Sequence, residues 1–215
     1  MSHVICIAGE SGTGKTTAMR NLDPKTTFYI DCDKKGLSWK GWKGQFNKEN
    51  KNYLVTDFPN IALAALKKLN TEDRYKHIKV CVIDTINGLM VADEMRRAKE
   101  KGYDKWQDLA QSIYDLIDYA LTMRDDITII FVAHTQTDHD ENGYIFTRIK
   151  TSGRKLDKIT LESKFSTVLL SKCLDDRYVF ETQANFSTAK SPMGAFADKE
   201  IDNDVVEVIK ALQEF

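Results

Sequence analysis

The sequence has no long apolar run. Its uninterrupted hydrophobic stretches stay under ten residues, roughly half of what a membrane-crossing helix needs. No secretory signal is expected, and the glycine-rich stretch starting at Gly9 is expected to leave no room for a targeting peptide ahead of it. An excess of one charge is missing too. Lys+Arg number 31 against 32 Asp+Glu, a net charge of −1, which excludes a globally basic nucleic-acid-binding domain and leaves that role to local patches. Cysteine is sparse. Cys6, Cys32, Cys81 and Cys173 lie far apart with no C-x-x-C spacing, each in a strand-like apolar run, and read as reduced core residues rather than a zinc site. Internal repeats, low-complexity segments and visible domain boundaries are absent, so 215 residues are expected to form one domain, 1–215, with a sizeable core and a cytoplasmic location.

What is present is local and sharp. Gly9-Glu10-Ser11-Gly12-Thr13-Gly14-Lys15-Thr16-Thr17 matches G-x-x-x-x-G-K-[ST]. The β-branched run His3 to Ala8 precedes it and reads as a buried strand, and a helix is expected over 17–22. Gly9, Gly12 and Gly14 are expected to take positive φ and bring backbone N–H groups close to phosphate oxygens, with the helix N-terminus adding donors. Lys15 then reaches the β- and γ-phosphates, and the Thr16 hydroxyl ligates Mg²⁺. The pattern predicts binding of a nucleoside triphosphate.

Further strands carry acids or polar groups at their ends. Residues 26–31 read as a strand closing on Asp31-Cys32-Asp33, where either carboxylate is placed to orient an attacking water or to terminate a solvated turn. Residues 79–85 form four apolar positions ending in Asp84, the form of a Walker B segment, with Asp84 expected to hold Mg²⁺ opposite Thr16. Residues 127–133 form another strand, and His134 after it is placed either beside a γ-phosphate or as a buried structural histidine. Helices are expected over 57–69, 88–98 and 108–123, and in the tail over Val205, Val206, Ile209 and Leu212.

Two stretches suggest nucleic acid. Residues 34–51 carry six lysines against Glu49 alone, with Trp39, Trp42 and Phe46 interleaved. They read either as a base-stacking insert or as a surface loop whose rings cap the core. Asn142-Gly143 marks a hairpin whose returning arm alternates Tyr144, Phe146, Arg148 and Lys150, followed by Arg154, Lys155 and Lys158. A DNA-binding loop over about 135–158 and charge protection of an edge strand both fit. A second hairpin is expected around Asp175-Asp176.

This order of phosphate loop, strand ending Ile-Asp-x-acid, strand ending Ile-Asp-Thr and strand ending in a polar sensor resembles the RecA-like ATPases. It is especially similar to the short phage Sak-type single-strand annealing and recombination proteins. The resemblance implies an α/β fold, a RecA-like P-loop NTPase core with a mostly parallel central sheet flanked by helices and C-terminal antiparallel hairpins. It implies ATP and Mg²⁺ as cofactors, Lys15, Asp33 and His134 as the catalytic set, and Thr16 and Asp84 at the metal. Asp33 stands where these proteins more often place Glu, which implies slow hydrolysis. Lys190 is similar to a lysine that reaches a neighbouring subunit's nucleotide, and Arg148, Lys150, Arg154 and Lys155 fall on the DNA-binding loop. The implied partners are single-stranded DNA, further copies of the chain in a ring or filament, and a single-strand DNA-binding or replication protein, in the cytoplasm of a bacterial host. A nucleotide-dependent switch of helicase-loader type and a small-metabolite kinase are the other classes the motif allows. The lack of an N-K-x-D motif favours ATP over GTP.

Overall fold

A computed structural model gives the fold and describes residues 2–102, 104–139, 141–151 and 160–215. Its strands are β1 (His3–Gly9), β2 (Thr27–Asp31), β3 (Tyr53–Val55), β4 (Val80–Asp84), β5 (Thr128–His139), β6 (Ile145–Ile149), β7 (Thr167–Leu174), β8 (Arg177–Glu181) and β9 (Glu200–Asp202). They line up as β3-β2-β4-β5-β1-β7-β8-β9, with β6 paired to the outer part of β5. Every neighbouring pair from β3 to β7 is parallel, whereas β5–β6, β7–β8 and β8–β9 are antiparallel. This is the predicted class, an α/β fold of the P-loop NTPase kind.

The sheet is buried on both faces, and β1 shows why. Val4, Cys6 and Ala8 point to one side, Ile5 and Ile7 to the other, and all are buried. Alternation with no polar member is the mark of a strand between two layers. The first side packs α2 (Pro59–Thr71), α3 (Ile86–Arg96) and α4 (Asp104–Leu121), whose Leu66, Leu89, Ile113 and Leu116 enter the core.

The second side is assembled differently from the expectation. In place of a helix over 17–22 the chain makes one 3-10 turn, Thr17–Met19. Asp23 precedes Pro24, which disfavours helical backbone there, and β2 already begins at Thr27. The uncovered area is filled by the 34–51 insert, which contains the short α1 (Trp42–Gln45), and by α5 (Val205–Leu212). Leu37 and Phe46 are buried, and Trp39 and Trp42 pack against the same cluster. Phe46 meets Tyr29 with ring centroids 5.5 Å apart, and Trp42 lies 5.5 Å from Tyr53. Burying one such ring contributes about 1.5–3 kcal/mol. The base-stacking reading of these rings is therefore corrected: they cap the core, while all six lysines of the insert are exposed.

Smaller differences follow from pairing. β5 continues to His139 instead of stopping at Ala133, because β6 extends its ladder from Thr135↔Ile149 to His139↔Ile145. β3 and β9 are three residues each, too short for a period-2 pattern to show. Cys6, Cys32 and Cys81 are buried, but Cys173 is exposed near the end of β7, against the expectation of four core cysteines. No helix among the described residues is long and apolar enough to cross a membrane.

Candidate functional site

The carboxyl ends of β1, β4, β2 and β5 meet at one edge of the sheet. Register aligns Gly9 with His134 and Asp31 with Asp84, so residues far apart in sequence converge there. Such an edge is where open parallel sheets take ligands.

The glycine loop starts as β1 ends. Gly12 and Gly14 have φ of +83° and +90°, a conformation glycine adopts without steric cost. Gly9 is a correction. It is the last residue of β1, and its need for glycine is crowding: a Cβ there would lie 2.6 Å from Thr13 Oγ1 and 2.7 Å from the Ser171 carbonyl oxygen. Within the loop the Thr13 hydroxyl donates to the Glu10 carbonyl at 2.9 Å, and the Ala18 N–H donates to the Gly14 carbonyl at 2.9 Å. With only a 3-10 turn following, the phosphate-facing N–H groups belong to the loop itself and that turn, in place of the expected helix N-terminus. Bracing comes from the far end of the chain. Ser171 Oγ donates to the Thr13 carbonyl at 2.6 Å, Asn203 Nδ2 donates to Ser171 Oγ at 3.2 Å, and Arg20 donates to the Asn203 carbonyl at 2.7 Å.

Lys15 is buried, its Nζ donating to the Glu10 carbonyl at 2.6 Å. Burial lowers its pKa to about 8, with the charge of Asp84 pulling the other way. The Thr16 hydroxyl donates to Asp84 Oδ2 at 2.8 Å, and the Tyr29 hydroxyl donates to the same oxygen at 2.6 Å. Asp84 Oδ1 is buried and has no hydrogen-bond partner among the described residues. Burial raises the pKa of Asp84, against the two hydroxyl bonds. An orphaned carboxylate oxygen in a dry site costs free energy unless a ligand meets it. A hard cation with oxygen donors from Asp84 and Thr16 fits this set.

The two acids after β2 separate by geometry. Asp31 is buried and accepts from the Lys34 and Gly36 N–H groups, both at 2.9 Å, and from the Tyr53 hydroxyl at 2.6 Å, which fixes the turn. Asp33 faces the site. Its Oδ1 accepts from the Thr85 hydroxyl at 2.9 Å, and its Oδ2 pairs with Lys35 Nζ at 2.6 Å. Thr85 also caps α3, accepting from the Gly88 N–H at 3.0 Å. His134 is half-buried, and burial followed by the charge of Lys15 lowers its pKa, so it is neutral at pH 7. Its backbone N–H donates to Asn87 Oδ1 at 2.7 Å, and the neighbouring Thr135 hydroxyl donates to Glu10 Oε1 at 2.9 Å.

A cavity of 330 Å³ is lined by Ser11, Gly12, Gly14 through Thr17, Lys35, Ser38, Thr85, His134 and Tyr178; Asp84 and Asp33 are not in that lining but accept from Thr16 and Thr85, which are. The family model described as AAA domain matches residues 1–193. The chain belongs to the AAA domain family. No curated protein matches the chain. Membership makes this a nucleotide-binding protein of the P-loop ATPase type.

Four lining residues of this AAA domain went unmarked in the sequence reading. Tyr178 comes from β8, and its ring packs so closely on the loop that a Cβ on Gly14 would lie 2.8 Å from it. Lys35 reads in the sequence only as one of the lysines of the 34–51 stretch and Thr85 only as the close of the Ile-Asp-Thr strand, while Ser38 belongs to no motif. Other residues named from sequence do not line the cavity. Lys190 exchanges backbone hydrogen bonds with Val168 at 2.8 Å, bridging to β7. Arg148 pairs with Asp138 at 3.2 Å, and Lys150 is exposed at the end of β6. Arg154, Lys155 and Lys158 lie outside the described residues. Arg96 and Arg97, which a kinase lid would use, are engaged elsewhere: Arg96 stacks 3.9 Å from the Phe58 ring centroid, and Arg97 pairs with Glu100 and Asp108.

Proposed function

We propose that this AAA domain binds and hydrolyses ATP with Mg²⁺ and couples its nucleotide state to single-stranded DNA, as an oligomer serving phage recombination or replication. The observation that carries the nucleotide part is the buried Asp84 Oδ1, unpartnered among the described residues, on the carboxylate that accepts from Thr16, which lines the cavity under the glycine loop. Mg²⁺ held by Thr16 and Asp84 would supply charge neutralisation on the terminal phosphates. Lys15 leaves the Glu10 carbonyl for phosphate oxygens, and the loop N–H groups hold the remaining ones. Asp33, fixed by Thr85, orients the attacking water, and neutral His134 offers a hydrogen bond to the terminal phosphate.

The DNA part rests on connectivity. Asn87 accepts from the His134 N–H and donates to the Lys150 carbonyl at 2.7 Å, while the Lys150 N–H donates to the His134 carbonyl at 2.8 Å. The γ-phosphate sensor and the end of the β6 arm are thus one hydrogen-bonded unit. Tyr144 on that arm and Phe186, whose carbonyl accepts from Thr147, are strongly exposed. Exposed rings on and beside the arm that ends in Lys150 suit base stacking with backbone contact. One observation favours a second reading, a slow nucleotide switch that loads a partner: Lys35 already occupies one oxygen of Asp33.

The deciding experiment is steady-state ATP hydrolysis with and without single-stranded DNA at two salt concentrations, with Lys15→Ala as control. Salt-sensitive stimulation, absent in the variant, is expected. No stimulation and no DNA retention would move the assignment to the switch.

A further inference from the structure

We infer that Lys35 is the cation that tells a triphosphate from a diphosphate in this site, and that it holds Asp33 in reserve until the triphosphate arrives. The inference rests on the ATP-binding reading above.

Asp33 is fixed and Lys35 is not. The carboxylate is held from below by the Thr85 hydroxyl and backed by Gly88, whose absent side chain makes room for Oδ1. Its side chain is 14% exposed, against 51% for Lys35. The lysine reaches in from the turn after β2, and its flexible stem gives the ammonium room to move within the cavity it lines. Burial works against its charge, but the hydrogen bond and charge of Asp33, with Asp84 and Asp31 behind it, raise its pKa and keep it cationic. Its charge also reaches Lys15 and His134 and helps lower the pKa of each. Lys35 therefore acts at the end of the cavity shared by the loop lysine and the sensor histidine, where a terminal phosphate belongs.

Two anions compete for this one cation. In this structure Asp33 Oδ2 holds it at 2.6 Å, so the ammonium takes one of that oxygen's lone pairs and neutralises the carboxylate that would attract the proton of an attacking water. A diphosphate leaves the arrangement in place. A triphosphate brings a more highly charged oxygen cluster to the same end, and the ammonium transfers to it. Asp33 Oδ2 is then free to accept a hydrogen bond from the attacking water, while Oδ1 stays on Thr85. The pair is a two-position element biased by the γ-phosphate, so hydrolytic competence follows occupancy.

Calorimetric titration with Mg²⁺ and either ADP or a non-hydrolysable ATP analogue tests this on wild type, Lys35→Met, Lys35→Arg, Asp33→Asn and the Lys35→Met/Asp33→Asn double variant, each shown to be folded by a thermal melt. Lys35→Met is expected to lose about tenfold of the preference for the analogue over ADP, with ADP affinity changed less than about twofold. Lys35→Arg keeps most of the preference. Asp33→Asn releases the lysine and tightens the analogue more than ADP, and it adds nothing in the Lys35→Met background, a non-additivity that general electrostatics would not give. Equal weakening of both ligands by Lys35→Met, or additive effects in the double variant, overturns the role of Lys35. A wild-type protein that binds neither ligand removes the ATP reading itself.

Discussion

Replacing Gly88 with alanine tests the placement of Asp33 without touching the phosphate loop. The substitution lies in the first turn of α3, where exchanging Gly for Ala normally stabilises a helix by about 1 kcal/mol. Here the new Cβ would lie 2.4 Å from Asp33 Oδ1, 2.8 Å from the Cys32 carbonyl oxygen and 3.0 Å from its carbon. Cys32 follows β2 directly and its N–H donates to the Asp84 carbonyl at 2.6 Å, so its backbone has little freedom to retreat. Relief must come from Asp33 turning away and α3 shifting outward. Overpacking of this kind costs about 1–3 kcal/mol, which leaves a net loss of about 0–2 kcal/mol after the helix gain. At about 2–4 °C per kcal/mol for a domain of this size, the melting temperature falls by at most about 8 °C. The catalytic consequence is larger, because displacing a positioned group by about 1 Å costs on the order of a hundredfold in rate. The assay is single-turnover hydrolysis at saturating Mg²⁺ and ATP, with nucleotide affinity measured in parallel. Turnover should collapse while affinity stays within a few-fold of wild type. Turnover within about twofold of wild type would refute the placement of Asp33 as the group that orients water.

Two further tests follow. Lys15 loses its proton near pH 8 in the nucleotide-free protein, so ATP affinity should fall as pH rises through that value. Over the same rise, from about 8 to the unfolded value of 10.5, the unfolded chain binds the proton more tightly, so the nucleotide-free protein should gain stability; thermal melts across this range check the sign. Asn87→Ala leaves the His134 N–H unpaired, costing about 1–3 kcal/mol, and frees the end of β6. The expected result is a melting temperature lowered by about 2–12 °C and faster amide exchange over 145–150, read by mass spectrometry.

Local patterns were the legible part of this protein. The glycine loop, the apolar run into Asp84 and the strand before His134 announce themselves because each signal sits within about ten residues, and their shared edge follows from parallel-sheet geometry. Tyr178 and Lys35 were illegible for the opposite reason. Tyr178 reaches the loop only because β7 lies beside β1 and β8 folds back antiparallel to β7, and no spacing between residues 14 and 178 encodes that. The insert was ambiguous in composition: lysines with tryptophans fit a nucleic-acid surface as well as a core-capping loop, and the missing helix after the glycine loop, which left an apolar face for those rings to cover, decides for the second. Asp31 and Asp33 look interchangeable in sequence, and only the Tyr53 hydroxyl and the turn N–H groups on Asp31 separate them.

The braces on the glycine loop also set an order of events during synthesis. Thr13 is held through Ser171, and the segment after the 3-10 turn is held through Asn203 and by Asn21 donating to Asp204 at 2.6 Å. The loop is therefore finished by groups that lie 158 and 183 positions further along the chain. Chains emerge N-terminus first, at about 5–20 residues per second, so the loop waits on the order of ten seconds or more for its supports. A nascent chain halted before residue 203 carries every residue of the nucleotide motif and lacks its frame. Nucleotide, binding only the finished frame, then stabilises selectively the chains that have closed this circuit.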